Sequence, residues 1–140
     1  MNLSILDTDT LTLFQDGHPQ VCQRARDHAE AELAITVLSV EEQLSGWYTV
    51  LRQAKRPPKL AWAYRRLAET VRFLSRMPIV ALDEPAIERY DTLIRLGRKV
   101  RKMDLRIAAV VLEVGAPLVT RNVRDIKRIP GLVVTDWSKT

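Results

Sequence analysis

Short apolar runs alternate with segments of helical periodicity along this 140-residue chain, and this alternation limits the possible folds more than any other feature. Five runs have the character of strands: Leu3–Leu6, Leu33–Thr36, Pro78–Leu82, Pro117–Thr120 and Leu132–Thr135. Strands that alternate with helices lie parallel in one sheet, with the helices covering its faces. The sequence has no internal repeat and no linker. We therefore predict a single α/β domain, residues 1–140, with a central parallel sheet of about five short strands flanked by helices.

Two segments between the second and third predicted strands share the apolar spacing of amphipathic helices. The first spans residues 39–54, with one stripe formed by Val40, Leu44, Trp47, Leu51 and Ala54. Pro57-Pro58 separates it from the second, which repeats the spacing at Leu60, Tyr64, Leu67, Val71 and Leu74. We predict that the two form an inserted helical hairpin.

Three later helical segments complete the pattern. The first begins at Asp83 as N-cap, and its predicted buried face is Ala86, Ile87, Tyr90, Leu93 and Ile94. The second runs from about Asp104 to Val114 and ends at Gly115. A short turn or helix is predicted near Val123–Arg128, between the last two strands.

Cysteine usage, hydropathy and charge restrict the function. Cys22 is the single cysteine, and with only His18 and His28 beside it no zinc-binding spacing exists. No apolar run reaches the ~18 residues of a membrane span, and no signal peptide is visible, so we expect a soluble, cytoplasmic protein. The formal net charge of +5 and a sequence pI near 9.7 favour an anionic partner, and nucleic acid is the commonest one.

Acidic residues follow several of the predicted strands or open the next helix. Asp7 and Asp9 follow the first strand, Glu42 lies near the start of its helix, Asp104 opens another helix, and Asp125 follows the fourth strand. Parallel strands end at one edge of a sheet, so these carboxylates should converge there. Convergent carboxylates repel one another unless a cation lies between them, and Mg²⁺ prefers oxygen ligands.

Helix capping explains most of the same residues without a metal. Ser39 to Glu42 and Asn122 to Asp125 both have the form of a capping box, and Asp104 has the place of an N-cap or first-turn acid. Asp7 is harder to explain in this way, because an acid directly after a strand need not cap a helix. Composition and spacing therefore leave capping and metal binding both open.

The order of four motifs resembles the PIN-domain family. The motifs are Leu6-Asp7-Thr8-Asp9, the run from Thr36 to Glu42, Asp104-Leu105-Arg106-Ile107-Ala108-Ala109, and the run from Leu118 to Ile126 that holds Thr120, Asn122 and Asp125. The closing segment from Arg128 to Leu132 and the pair Asp136-Trp137 resemble the tail of VapC toxins from bacterial toxin–antitoxin pairs. The likeness covers essentially the whole chain.

This resemblance implies a metal-dependent endoribonuclease with Asp7, Glu42, Asp104 and Asp125 as its catalytic acids. Asp7 and Asp104 would be the principal ligands of Mg²⁺ or Mn²⁺, and Glu42 and Asp125 would complete the site directly or through water. Thr120 and Asn122 would shape its wall, and Asp9 stands where the family more often has Asn. The implied partners are RNA and an antitoxin, in a homodimer or a hetero-oligomer with the antitoxin. A PIN nuclease of RNA processing and a catalytically idle PIN fold that binds proteins remain the alternatives.

Two further features have two interpretations each. The basic residues Arg98, Lys99, Arg101 and Lys102, and also Arg121 and Arg124, are candidates for contact with the RNA backbone, while a solvated, favourably charged helix end explains the first group equally well. Aromatic residues on both hairpin helices predict packing within the hairpin, or alternatively a groove for an antitoxin segment. We do not assign Asp83 and Asp136 to the acidic site.

Overall fold

The computed structural model describes residues 2–97 and 99–139, and within them the chain forms one five-stranded sheet and seven α-helices. All strand pairs are parallel, and the strand order is β3-β2-β1-β4-β5. The strands are β1 (Ser4–Leu6), β2 (Leu33–Thr36), β3 (Ile79–Val80), β4 (Leu118–Val119) and β5 (Val134–Thr135). The predicted α/β fold with a central parallel sheet is confirmed, and the three later strands are shorter than their apolar runs.

The helices occupy the positions that the periodicity predicts, and two more precede β2. They are α1 (Thr8–Gln15), α2 (Pro19–Arg26), α3 (Val37–Gln53), α4 (Pro57–Leu74), α5 (Glu84–Arg95), α6 (Lys102–Val114) and α7 (Val123–Ile126), with a 3-10 turn at Glu30–Glu32. Gly115 ends α6 with a φ of 78°, a left-handed conformation that glycine adopts without a steric penalty. In the described part of the chain, no helix is long and apolar enough to cross a membrane.

Successive residues of the central strands point into two separate cores, one on each face of the sheet. Ile5 belongs to the core beneath α5 and α6, whereas Leu6 belongs to the core beneath α1, α2 and the end of α4. Leu118 and Val119 divide in the same way. Because both faces of β1 and β2 are covered, these strands read as continuous apolar runs rather than as alternating ones.

The hairpin of α3 and α4 forms as predicted, but its apolar stripe is only partly covered. Trp47 and Trp62 meet edge to face with ring centroids 5.5 Å apart, which joins the two helices. Leu74, at the base of α4, is buried in the core. The prediction is wrong for Tyr64 and Val71, which are 57% and 48% exposed. The buried residues Ala63 and Thr70 each precede them by one position, so the buried face of α4 lies about 100° around the helix from the predicted one.

The buried face of α5 is narrower than the sequence predicts. Asp83 caps the helix as expected, since its carboxylate accepts a hydrogen bond from the Ala86 amide at 3.1 Å. Ala86 and Leu93 are buried on one stripe, whereas Ile87 and Ile94 are exposed. Each exposed isoleucine follows a buried residue by one position, about 100° around the helix, and therefore points away from α6.

Candidate active site at the sheet edge

The order of the strands places a switch point between β1 and β4. From β1 the chain builds the sheet outward through β2 and β3, and then crosses to β4 on the other side of β1. At such a point the connections after the two central strands diverge and leave a crevice at the carboxyl edge, where α/β proteins bind their ligands. Asp7 directly follows β1, and Thr120 directly follows β4, so both residues lie at this crevice.

A cavity of about 450 Å³ occupies the crevice. Three carboxylates line it, from Asp7, Asp9 and Asp104. The remaining lining residues are Thr8, Asn122, Arg101 and Arg121. The structure therefore brings together acids from the two ends of the chain, as the motif order predicts.

Glu42 lies next to this cavity and is joined to it through Thr8. The Thr8 hydroxyl donates a hydrogen bond of 2.6 Å to Glu42 Oε1 and lies 2.8 Å from the Ser39 hydroxyl. Glu42 itself lines a neighbouring cavity between α1, α3 and α4. Thr8 thus fixes the orientation of the Glu42 carboxylate beside the acidic cavity.

The capping boxes predicted for this region do not form. Thr36 rather than Ser39 is the N-cap of α3, and its hydroxyl accepts from the Ser39 amide at 3.4 Å. Asn122 occupies the N-cap position of α7, but its side chain makes no capping hydrogen bond. Glu42 therefore does not take part in a capping box at the start of α3, and the capping explanation for it is wrong.

The fourth predicted acid, Asp125, is half-buried in the first turn of α7 and is not among the residues that line the cavity. Thr120 is fully buried, and its hydroxyl accepts a hydrogen bond of 3.0 Å from the Asn122 amide. That bond holds the turn after β4 and keeps Asn122 at the cavity wall. Asp136, which the sequence did not assign to the site, accepts bonds from the Ser138 amide and hydroxyl in the closing turn.

Two arginines pair with carboxylates of the cavity, which the sequence did not predict. Arg101 binds Asp104 with both ends of its fork, Nε to Oδ2 at 3.2 Å and Nη2 to Oδ1 at 3.3 Å. Arg121 Nη1 lies 3.6 Å from Asp9 Oδ2. The spacing of Arg101 and Asp104, three residues apart at a helix start, was the available signal.

Three of the other predicted RNA-backbone residues lie outside the cavity lining. Lys99, Lys102 and Arg124 are exposed, and Arg98 lies outside the described residues. The helix-end interpretation is wrong for Arg101 and Lys102, because α5 ends at Arg95 and these two residues lie at the start of α6. The helix dipole disfavours positive charge at that end.

The donor set of the cavity fits a hard divalent ion. Among residues 2–97 and 99–139, no three His, Cys, Asp or Glu side chains are grouped closely enough to hold a metal. Mg²⁺ requires less than that, because it keeps several waters and usually binds one or two carboxylates. The cavity offers carboxylate and amide oxygens from Asp7, Asp104 and Asn122, and no nitrogen or sulfur ligand competes with them.

Asp7 is the most deeply placed of these carboxylates, with a relative exposure of 7%. Contrary to the expectation that this acid need not cap a helix, it is the N-cap of α1 and accepts a hydrogen bond of 2.8 Å from the Thr10 amide. Burial raises its pKa above the ordinary value, and the nearby charge of Asp9 acts in the same direction, whereas hydrogen bonds from Thr120 and Thr10 oppose the shift. When no cation is bound, the ionised form of Asp7 therefore lowers the stability of the folded protein.

The raised pKa of Asp7 predicts a pH-dependent effect of Asp7→Asn on stability. The folded state binds this proton more tightly than the unfolded state, so the stabilisation is complete below the ordinary pKa and is lost as the pH rises through the raised pKa. Asparagine keeps the oxygen that caps α1 but carries no charge. We expect Asp7→Asn to stabilise the metal-free protein at about pH 7 and to lose this advantage towards about pH 4, near the ordinary Asp pKa.

Chemical unfolding of both proteins in EDTA across this range measures the difference. The difference between the two curves reports the effect of the Asp7 charge, including its interaction with Asp9. Destabilisation by Asp7→Asn at neutral pH would show that the charged carboxylate stabilises the fold.

The strand order and the oxygen-lined cavity define the class of protein, an α/β fold with an acidic site at the switch point of its sheet. Residues 4–132 match the PIN domain. The chain therefore belongs to the PIN-domain family, as its motifs predicted.

One curated protein and two solved structures are similar to this chain. The chain is 34% identical over 71 residues to "Ribonuclease VapC2" of Rickettsia felis. The match covers 48% of this chain and 53% of that protein, so the chain spans about half the length of the curated relative it matches. A chain of the DNA-bound VapBC complex from Salmonella typhimurium is 25% identical, with a TM-score of 0.79 and coverage of 98% and 99%. A chain of VapBC2 from Rickettsia felis, bound to a DNA fragment from its promoter, has the same fold, with 23% identity, a TM-score of 0.69 and coverage of 96% and 98%.

Proposed function

We propose that this protein is a metal-dependent endoribonuclease and acts in the cytoplasm as the VapC-type toxin of a toxin–antitoxin pair. The observation that carries the proposal is the cavity at the switch point, which Asp7 and Asp104 both line although they are far apart in the sequence. The likeness to a ribonuclease VapC2 and to VapBC complexes supports RNA as the substrate and an antitoxin as the partner.

Asp7 and Asp104 would hold the divalent ion, Mg²⁺ or Mn²⁺, and Asn122, which also lines the cavity, offers an amide oxygen. When bound, such an ion lowers the pKa of a water and neutralises charge on a scissile phosphate. The deep position of Asp7 suits this role, because an ionised carboxylate that is costly to bury alone gains most from a cation.

Glu42 would act from the side of the cavity. The Thr8 hydroxyl holds one carboxylate oxygen, which leaves the other free to orient the attacking water or to accept its proton. Hydrolysis forms a bond from this water oxygen to phosphorus and breaks the bond to the departing sugar oxygen, which takes up a proton. Asp125 would support the site through water, since it lies in the next turn but outside the cavity lining.

An antitoxin would cover this site together with the α3–α4 hairpin. Tyr48 and Tyr64 expose aromatic surface on the hairpin, and apolar anchors of this kind bind an amphipathic segment of a partner. A basic side chain of the partner, placed among the carboxylates, would exclude a metal by charge-assisted hydrogen bonds. In the complex, the toxin chains would form a homodimer or a hetero-oligomer with the antitoxin.

Metal dependence is the direct test of the nuclease proposal. Purified protein should cleave single-stranded RNA in Mg²⁺ or Mn²⁺ and lose cleavage when EDTA is added, because the carboxylates alone cannot neutralise the phosphate. Activity should return when excess Mn²⁺ is restored. Cleavage that persists undiminished in EDTA, in a preparation free of host ribonucleases, would contradict the metal mechanism.

A further inference from the structure

The guanidinium of Arg101 pairs with a carboxylate of the acidic cavity. It forms two hydrogen bonds to Asp104 and lines the same cavity as Asp7. Arg101 thus shares the cavity with two of the four predicted acids, Asp7 and Asp104. It is an internal counterion of the site, beside Arg121, which lies near Asp9.

Helix stability does not explain this arginine. Arg101 is the N-cap residue of α6, and its side chain makes no capping hydrogen bond. A cation at a helix N-terminus interacts unfavourably with the helix dipole, so the fold gains nothing from a positive charge at this position. The contact with Asp104 is the interaction that explains the position of the Arg101 side chain.

The ion pair between Arg101 and Asp104 can also dissociate easily. The Arg101 side chain is 69% exposed, whereas that of Asp104 is only 13% exposed. A solvated arginine is held weakly by an ion pair of this kind and leaves easily, while the carboxylate stays at the cavity wall. A guanidinium that leaves Asp104 remains at the mouth of the cavity, and its planar fork suits a phosphate as well as a carboxylate.

We propose that Arg101 is an exchangeable counterion: it pairs with Asp104 while no metal is bound, gives way to a divalent ion, and then binds a phosphate of the RNA. This inference rests on the proposed nuclease function, because it requires both a metal and RNA at the same cavity. It assigns Arg101 two successive partners and makes the binding of metal and RNA mutually supportive. A metal that binds Asp104 releases Arg101 for RNA, and a phosphate that binds Arg101 releases Asp104 for the metal.

Metal binding without RNA tests the first half. Mn²⁺ is titrated calorimetrically into the wild type, Arg101→Gln and Lys102→Gln. Lys102 is the matched control, because it is the adjacent exposed cation in the first turn of α6 and does not line the cavity. We expect Arg101→Gln to bind Mn²⁺ roughly two- to fivefold more tightly than Lys102→Gln, the change expected when a partly exposed ion pair no longer competes.

RNA binding in EDTA tests the second half, since no cleavage interferes. A fluorescein-labelled single-stranded oligoribonucleotide is titrated with the wild type, Arg101→Gln, Asp104→Asn and the double variant at several salt concentrations. With Asp104 neutral, Arg101 is free for phosphate, so its loss should reduce the salt slope by about 0.7, the value for one phosphate contact on a single strand. In the presence of charged Asp104, the same substitution should reduce the slope clearly less.

The outcomes separate the inference from the function on which it rests. Equal Mn²⁺ affinity in Arg101→Gln and Lys102→Gln, or an identical effect of Arg101→Gln on RNA binding in both backgrounds, would overturn the exchange while leaving a metal-dependent nuclease intact. Failure of all three proteins to bind Mn²⁺ would overturn the proposed function and this inference together. Unfolding curves of each variant in EDTA show whether the fold is retained.

Discussion

Asp7→Asn and Asp104→Asn should each lower RNA cleavage at least about a hundredfold. Substitution of groups that merely support a metal ligand costs about 10- to 100-fold in affinity or activity, and a ligand itself should cost no less. Both substitutions preserve side-chain size, and the amide introduced by Asp7→Asn retains an oxygen that can accept the Thr10 amide hydrogen bond. Initial rates of cleavage of a labelled RNA, measured at saturating Mn²⁺, give the effect.

The neighbouring pair Glu41 and Glu42 supplies a matched control on one helix. Glu42 accepts a hydrogen bond from Thr8 beside the cavity, whereas Glu41 is exposed. Glu42→Gln should lose most cleavage, while Glu41→Gln should retain it within about a factor of two, as surface substitutions usually do. The reverse result would move the site by one residue, and wild-type rates in Asp7→Asn or Asp104→Asn would remove that residue from the metal site.

Expression of the wild-type chain in a bacterial host should arrest growth, with a loss of colony-forming cells of several orders of magnitude. An unopposed endoribonuclease depletes transcripts or tRNA that the cell cannot replace fast enough. Asp7→Asn at the same protein level should be harmless, because the charge that holds the metal is gone. Colony counts after induction, with the protein level checked by immunoblot, measure the effect.

Co-expression of the protein encoded next to this chain in its genome should restore growth by covering the cavity and the hairpin. If a basic side chain of that partner reaches the carboxylates, its replacement should weaken inhibition while apolar contacts still hold the complex together. Cleavage of RNA in vitro without arrest would favour a nuclease of RNA processing. Arrest that persists in Asp7→Asn would exclude RNA cleavage as its cause.

Local signals in the sequence predicted the elements of the fold well where a strand is buried on both faces. Leu33–Thr36 forms β2 with the predicted bounds, because a strand covered on both sides must be apolar throughout. At β3 the apolar run from Pro78 to Leu82 overstates the strand, which is only two residues long and lies at the sheet edge with Ile79 exposed. An edge strand has one neighbour, so composition alone does not fix its length.

For the site, the sequence determined which residues could bind a cation, but not how their charges are balanced. The spacing of Asp7, Asp104 and Asn122 after strands or at helix starts follows from chain order, and parallel strands bring such positions to one edge. Whether Asp125 enters the cavity depends on the turn that α7 makes after β4, which no local pattern encodes.

The position of the Arg101–Asp104 pair beside Asp7 was decided by tertiary structure. Three residues of spacing allow the contact, but the fold makes it consequential, because it places Asp104 at the wall of a cavity that it shares with Asp7. Apolar periodicity and strand length are local properties and can be read along the chain. The energy of a charge depends on every charge and every solvent-exposed surface around it, and these are set only when distant segments meet.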